Sequence, residues 1–125
     1  HKGELKEAEK FYLKAIEKDP EFADAMGSLG RIYYNEAVEE LDRVNLIKDN
    51  RKYQAAKAKM ESFFLKPLPY MEKAHAVNPQ ERDYIVALRG IYYNLQGIYH
   101  GAKKTALSKE YEAKYKEMDA KMKSL

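Results

Sequence analysis

The sequence predicts an all-α fold of antiparallel helical hairpins stacked as a solenoid, and three observations carry the prediction. Apolar residues recur at helical spacing along the 125 residues: Ala37, Leu41, Val44 and Ile47 make one stripe, and Tyr111, Tyr115, Met118 and Met122 another. Six Gly and four Pro leave little punctuation, which suits long helices with few turns. Finally, Leu29-Gly30-Arg31-Ile32-Tyr33-Tyr34-Asn35 recurs 59 residues later as Leu88-Arg89-Gly90-Ile91-Tyr92-Tyr93-Asn94, with only Gly and Arg exchanged. The same offset relates Pro20 to Pro79, Asp24 to Asp83, Ala15 to Ala74 and Lys14 to Lys73. One helical unit is used twice.

The elements follow in order. A first helix over 3–18 ends ahead of Pro20, which cannot continue it. A long helix over 22–47 follows, and its return spans 51–77, carrying Tyr53, Ala56, Met60, Phe63 and Phe64. The tip falls at Lys48-Asp49-Asn50, where Asp49 or Asn50 caps the returning helix. Pro67 and Pro69 remove backbone donors from that return, so a kink or break is expected near 65–69. Phe63 and Phe64 point about 100° apart and cannot both fill one narrow seam. One of them should pack against the body near the kink, or stay exposed. A fourth helix over 81–99 is loosened at its end by Gly97 and Gly101, and a fifth over 108–123 starts at Ser108 as N-cap.

With these positions set, the chain resembles the tetratricopeptide repeat, a 34-residue helix–turn–helix with the pattern W-x2-L-G-x2-Y, A-x3-F and P. Met26, Leu29, Gly30 and Tyr33 fall on its first-helix positions, and Ala8, Tyr12 and Ala15 on its second-helix positions before Pro20. Ile85, Leu88 and Tyr92 match again, although Arg89 stands where the glycine belongs. Met71 and Ala74 match ahead of Pro79, while Pro67 replaces a small residue. The resemblance covers most of the chain and is sharpest from Pro20 to Tyr33. Small residues such as Ala15 and Gly30 let antiparallel helices approach, so a leucine at either is expected to overpack the seam.

The boundary prolines lie 59 apart and not 34, an excess of 25. Split over two helices, that lengthens the hairpin by roughly 19 Å. The stretch Leu68-Pro69-Tyr70-Met71-Glu72-Lys73-Ala74 resembles bacterial repeat proteins that carry such an elongated hairpin. The resemblance implies a single tetratricopeptide-like domain over 1–125, the C-terminal part of a longer array. Within it, 3–22 is the second helix of a truncated repeat, 23–81 the repeat with the long hairpin, and 82–125 the last repeat and a capping helix.

Charge excludes more than it assigns. Lys plus Arg is 23 and Asp plus Glu is 20, a net +3. Residues 101–125 alone hold seven Lys against four acids, but the signs alternate as on a solvated helix face. Lys2, Lys6, Lys10, Lys14 and Lys18 form a stripe with acids interleaved. No nucleic acid is expected as partner. Apolar runs are short, as in Ile85-Val86-Ala87-Leu88, so membrane insertion is not expected. Zero cysteines remove thiolate metal sites and disulfides.

Catalytic candidates are few. Ser28, Ser62 and Ser124 have no His or Asp in a recognisable arrangement. Glu72-Lys73-Ala74-His75 has the E-x-x-H spacing of metal-binding bundles, but those need two copies and two further glutamates. Neither an enzyme nor a metal or cofactor site is expected. The resemblance implies a concave groove for a peptide or protein, lined by Arg31, Tyr34, Asn35, Tyr93 and Asn94. Carboxylate-clamp chaperone adaptors use Lys and Asn where this chain has Gly27 and Arg31, then Val86 and Gly90, so that subtype is not expected. The expected function is a non-enzymatic interaction scaffold, binding in the groove and through the long hairpin, which also offers a surface for self-association. The alternatives are an RNA-binding helical repeat, which needs a basic track where this face carries Asp24 and Asp83, or an accessory domain of an enzyme located upstream. The resemblance favours an exported, periplasmic bacterial protein, with the cytoplasm as the alternative.

Overall fold

The computed structural model describes residues 2–125 and places them in seven helices: α1 (Lys2–Lys18), α2 (Ala23–Asn45), α3 (Asn50–Ala58), α4 (Met60–Leu65), α5 (Leu68–Val77), α6 (Arg82–Gly101) and α7 (Thr105–Ser124). No strand occurs among the described residues. α1 packs on α2, α2 on α5, α5 on α6 and α6 on α7, the succession of a helical-repeat solenoid. α3 and α4 are the inserted part of the long hairpin.

The returning arm of the hairpin is broken once more than expected. Its tip behaves as anticipated, since the Asp49 carboxylate accepts from the Lys52 amide at 3.0 Å. The return, however, is broken twice. At Lys59 the amide bonds back to Ala56 O at 3.1 Å, a tightened last turn, and Ser62 Oγ donates to Lys59 O at 3.0 Å. A local hydroxyl bond made that break, and the apolar stripe gave no sign of it. The second break is the expected one: Pro67 precedes α5 and Pro69 lies in its first turn, where a missing N–H leaves nothing unpaired.

Two further boundaries are corrected. α6 continues through Gly97 to Gly101, because packing outweighs the glycines' low propensity. α7 starts at Thr105 and its N-cap is Lys104, not Ser108. The short connection is closed by Lys103, whose φ of 60° is left-handed, and by the Lys104 amide bonding Tyr99 O at 2.9 Å. Ser108 lies inside the helix, buried, with its hydroxyl donating to Gln96 O at 3.3 Å.

The placement of α6 matters for the hairpin. α4 packs against both α2 and α6, so the projection is not left to close on itself. Val44, Met60 and Phe64 are buried there with Leu95 of α6. Of the two adjacent phenylalanines, Phe64 is fully buried, its ring 6.3 Å from that of Tyr34, while Phe63 is only partly covered.

The exchanged Gly and Arg have a packing explanation. A Cβ on Gly30 would lie 2.9 Å from Met71 Cε and 3.5 Å from the Met71 amide nitrogen, so glycine is what lets α2 and α5 touch. At the equivalent position of α6, Arg89 reaches Asp119 of α7 at 3.2 Å, a side-chain bridge between those helices. One position further, Arg31 extends to Asp83 of α6 at 3.0 Å, whereas Gly90 lies under the Tyr34 hydroxyl and has no room for a Cβ. Each copy uses its glycine against a different neighbour.

Tyr33 and Tyr92, the first tyrosine of each copy, are core residues with satisfied hydroxyls. Tyr33 donates to Glu9 of α1 and Tyr92 to Glu72 of α5, so each phenol finds a carboxylate on the preceding second helix. Burial first, then the accepting carboxylate, pushes both hydroxyls far above the ordinary phenol range.

Candidate peptide-binding groove

The first helices α2 and α6 meet through two reciprocal contacts. The Tyr84 ring of α6 lies over Gly27 of α2 and its hydroxyl donates to Ala23 O at 3.2 Å. Tyr34 of α2 lies over Gly90 of α6. Burial is the leading cause that raises both phenols, and the nearby Arg89 charge partly offsets it at Tyr34. Glycine appears where an aromatic edge must reach another helix's backbone.

The five residues expected to line a groove are placed unequally. Arg31 is exposed and pairs with Asp83 at the rim, both side chains about 60% exposed. Asn35 is exposed, one turn further along α2. Tyr34 is half-buried in its place over Gly90. Asn94 is half-buried, and its amide donates to Gly90 O at 2.8 Å, so Tyr34 and Asn94 converge on that glycine from opposite sides of the contact. Tyr93 is 60% exposed, with its ring 5.6 Å from that of Tyr115 on α7. Tyr93 and Asn94 also line a pocket of about 260 Å³ with Leu41, Met60 and Lys57 of the hairpin. The sequence carried no sign of that hairpin wall, since it depends on α6 packing alongside α4. Tyr115 was legible only as part of an apolar stripe.

The E-x-x-H residues engage separate neighbours. Glu72 accepts from Tyr92 and lies 3.8 Å from the Lys114 ammonium. His75 Nε2 is 3.1 Å from Lys121 Nζ, and its Nδ1 is buried without a partner. Burial first, then the Lys121 charge, holds His75 below the ordinary imidazole range, with Glu117 opposing. No group of three or more candidate metal ligands occurs among the described residues.

A pH dependence follows from that placement. Because the folded pKa lies below the unfolded value of about 6.5, the unfolded chain takes up the proton first. The contribution of neutral His75 is present above about pH 6.5 and lost as pH falls toward the folded pKa. The melting temperature should therefore drop between about pH 7 and pH 5. His75→Phe should flatten that segment of the profile, and an unchanged slope in the variant would refute the assignment.

The arrangement as a whole, paired helices stacked through knobs and small-residue seats with an aromatic left open beside them, defines a helical-repeat scaffold. The sequence pattern of the tetratricopeptide-repeat family matches residues 11–58, from α1 through α3. At family level this repeat is a protein-interaction module and in general not an enzyme. Neither a curated protein nor a solved structure matches the chain. No helix among the described residues is long and apolar enough to cross a membrane.

Proposed function

We propose that the protein is a non-enzymatic scaffold that binds a peptide or protein partner on the face of α2 and α6. The observation that carries this is Tyr93. Its repeat counterpart Tyr34 is covered by the next first helix, yet Tyr93 is 60% exposed beside a shallow pocket. A tyrosine supplies large contact area at small entropic cost, and such exposed aromatics serve as binding anchors. Arg31 and Asn35 extend the same surface along α2, while Tyr34 and Asn94 position it through Gly90.

The same reading makes α1 the second helix of a repeat. Phe11 is 67% exposed, whereas its counterpart Tyr70 rests against Tyr33 at 5.7 Å between ring centroids. A preceding first helix would cover Phe11 as α2 covers Tyr70. The long hairpin provides a second surface for a partner or for self-association.

The test compares capture of partners by wild type and by Tyr93→Ala combined with Asn35→Ala. The double variant should lose partners by about tenfold while keeping its melting temperature, because both side chains are exposed. Tyr34→Ala, by contrast, should lower the melting temperature as well. Undiminished capture by the double variant would remove this face from the function.

A further inference from the structure

Charge is not spread evenly over the helices. α2 carries five acids, four of them between Glu36 and Asp42, against Arg31 and Arg43, a net −3. α3 carries Arg51, Lys52 and Lys57 and no acid, a net +3. Every other helix stays within one charge of neutrality, counted with neutral histidines. The two exceptions run side by side in the outer part of the hairpin. Such segregation by element differs from the interleaved signs of a merely solvated face.

Each arm turns its charge outward. Glu39, Asp42 and Leu46 share one face at the distal end of α2 by their spacing of three and four, and all are exposed, Leu46 by 78%. The opposite face, with Ala37 and Val44, is buried. On α3, Arg51, Ala55 and Ala58 share an exposed face with Lys52 beside them, while Tyr53 and Ala56 pack against the core. One outer face is therefore acidic around a large apolar side chain, and the other is basic around small ones. They do not neutralise each other within one chain, since no ion pair among the described residues joins α2 to α3. Arg43 is held by Glu40 of its own helix at 2.9 Å. Glu39 also borders a hollow of about 450 Å³ with Lys2 and Lys6 of α1, and no ion pair crosses that hollow either.

We infer that the hairpin is a self-association surface, on which the acidic face of α2 in one copy docks against the basic face of α3 in a second copy. Glu39 and Asp42 of one copy meet Arg51 and Lys52 of the other, and Leu46 settles over Ala55 and Ala58. This rests on the reading of the hairpin as a second surface and names its occupant. The complementarity lies between two parts of one sequence, so a second copy satisfies it without any further partner. A nucleic acid fits less well: it would meet the basic arm alone and be repelled by the acids of the arm beside it.

The test is analytical sedimentation of the full chain over a range of concentration and salt. Wild type should associate, and the association should weaken as salt rises. Glu39→Lys with Asp42→Lys turns the α2 face basic, and Arg51→Glu with Lys52→Glu turns the α3 face acidic. Each pair should weaken self-association at least about tenfold, because like charges then meet across the contact. Mixing the two variants decides the matter, since opposite charges face each other between the chains again though not within either. The mixture should associate as wild type does. Leu46→Ala should weaken wild-type association severalfold without altering charge. The inference fails if wild type is a monomer throughout, if either reversal associates like wild type, or if the mixture stays monomeric. A monomer that loses a captured protein or a labelled oligouridylate on either reversal would give the face to that partner and overturn the inference. Failure here is separable from failure of the groove: Tyr93→Ala should leave self-association unchanged, and the charge reversals should leave groove partners in place.

Discussion

Phe64→Ala is expected to lower the stability of the chain by about 3–5 kcal/mol, the range for emptying a fully enclosed aromatic site. Phe64 has no solvent exposure and stands where α4 meets α2 and α6, edge-on to Tyr34. Deleting its ring leaves a cavity bordered by three helices fixed by other contacts, so little collapse can fill it. Phe63→Ala, one residue away, should cost far less, because Phe63 is only partly covered. Urea unfolding of the two variants reads the difference directly. Similar midpoints for both would mean that Phe64 is not the post around which the hairpin is set.

Gly30→Leu comes next, with an expected loss of roughly 1–3 kcal/mol from overpacking. The first added atom already falls 2.9 Å from Met71 Cε and 3.5 Å from the Met71 amide nitrogen. The methyl end can swing away; the backbone cannot. Ala15→Leu looks equivalent from sequence, yet α1 has no fully buried residue and Ala15 itself is half-buried, so its leucine has room to turn outward. Thermal melts should therefore rank Gly30→Leu well below Ala15→Leu. An equal drop would place the tight seam elsewhere.

These two sites also indicate what the sequence could convey. The helix-on-helix architecture was legible because apolar spacing, scarce turn residues and a duplicated seven-residue stretch all pointed the same way. The tip cap at Asp49 and the break at Pro67 were legible because each has a local cause, a side-chain acceptor and a missing donor. The break at Lys59 was not, since it depends on a hydroxyl three residues on choosing a backbone carbonyl. Ser108 misled for a related reason: serine favours an N-cap, but tertiary contact with Gln96 decided its place. For the groove, Tyr34 and Tyr93 share their neighbours in sequence and differ only in what lies across from them. Covered and uncovered copies of one motif cannot be told apart until the next helix is in place.

The Gly27–Tyr84 and Tyr34–Gly90 contacts also bear on how such an array can be assembled. If a duplicate of α2 followed α2, Tyr34 would meet Arg31 where it now meets Gly90, and Gly27 would face Ala25 across an unfilled gap. If a duplicate of α6 followed α6, Tyr93 would find its glycine, but Tyr84 would strike Val86. Only the existing order fills both recesses without collision. The modules are alike enough to share a fold, yet their junction is keyed, and the key reads in one direction along the chain.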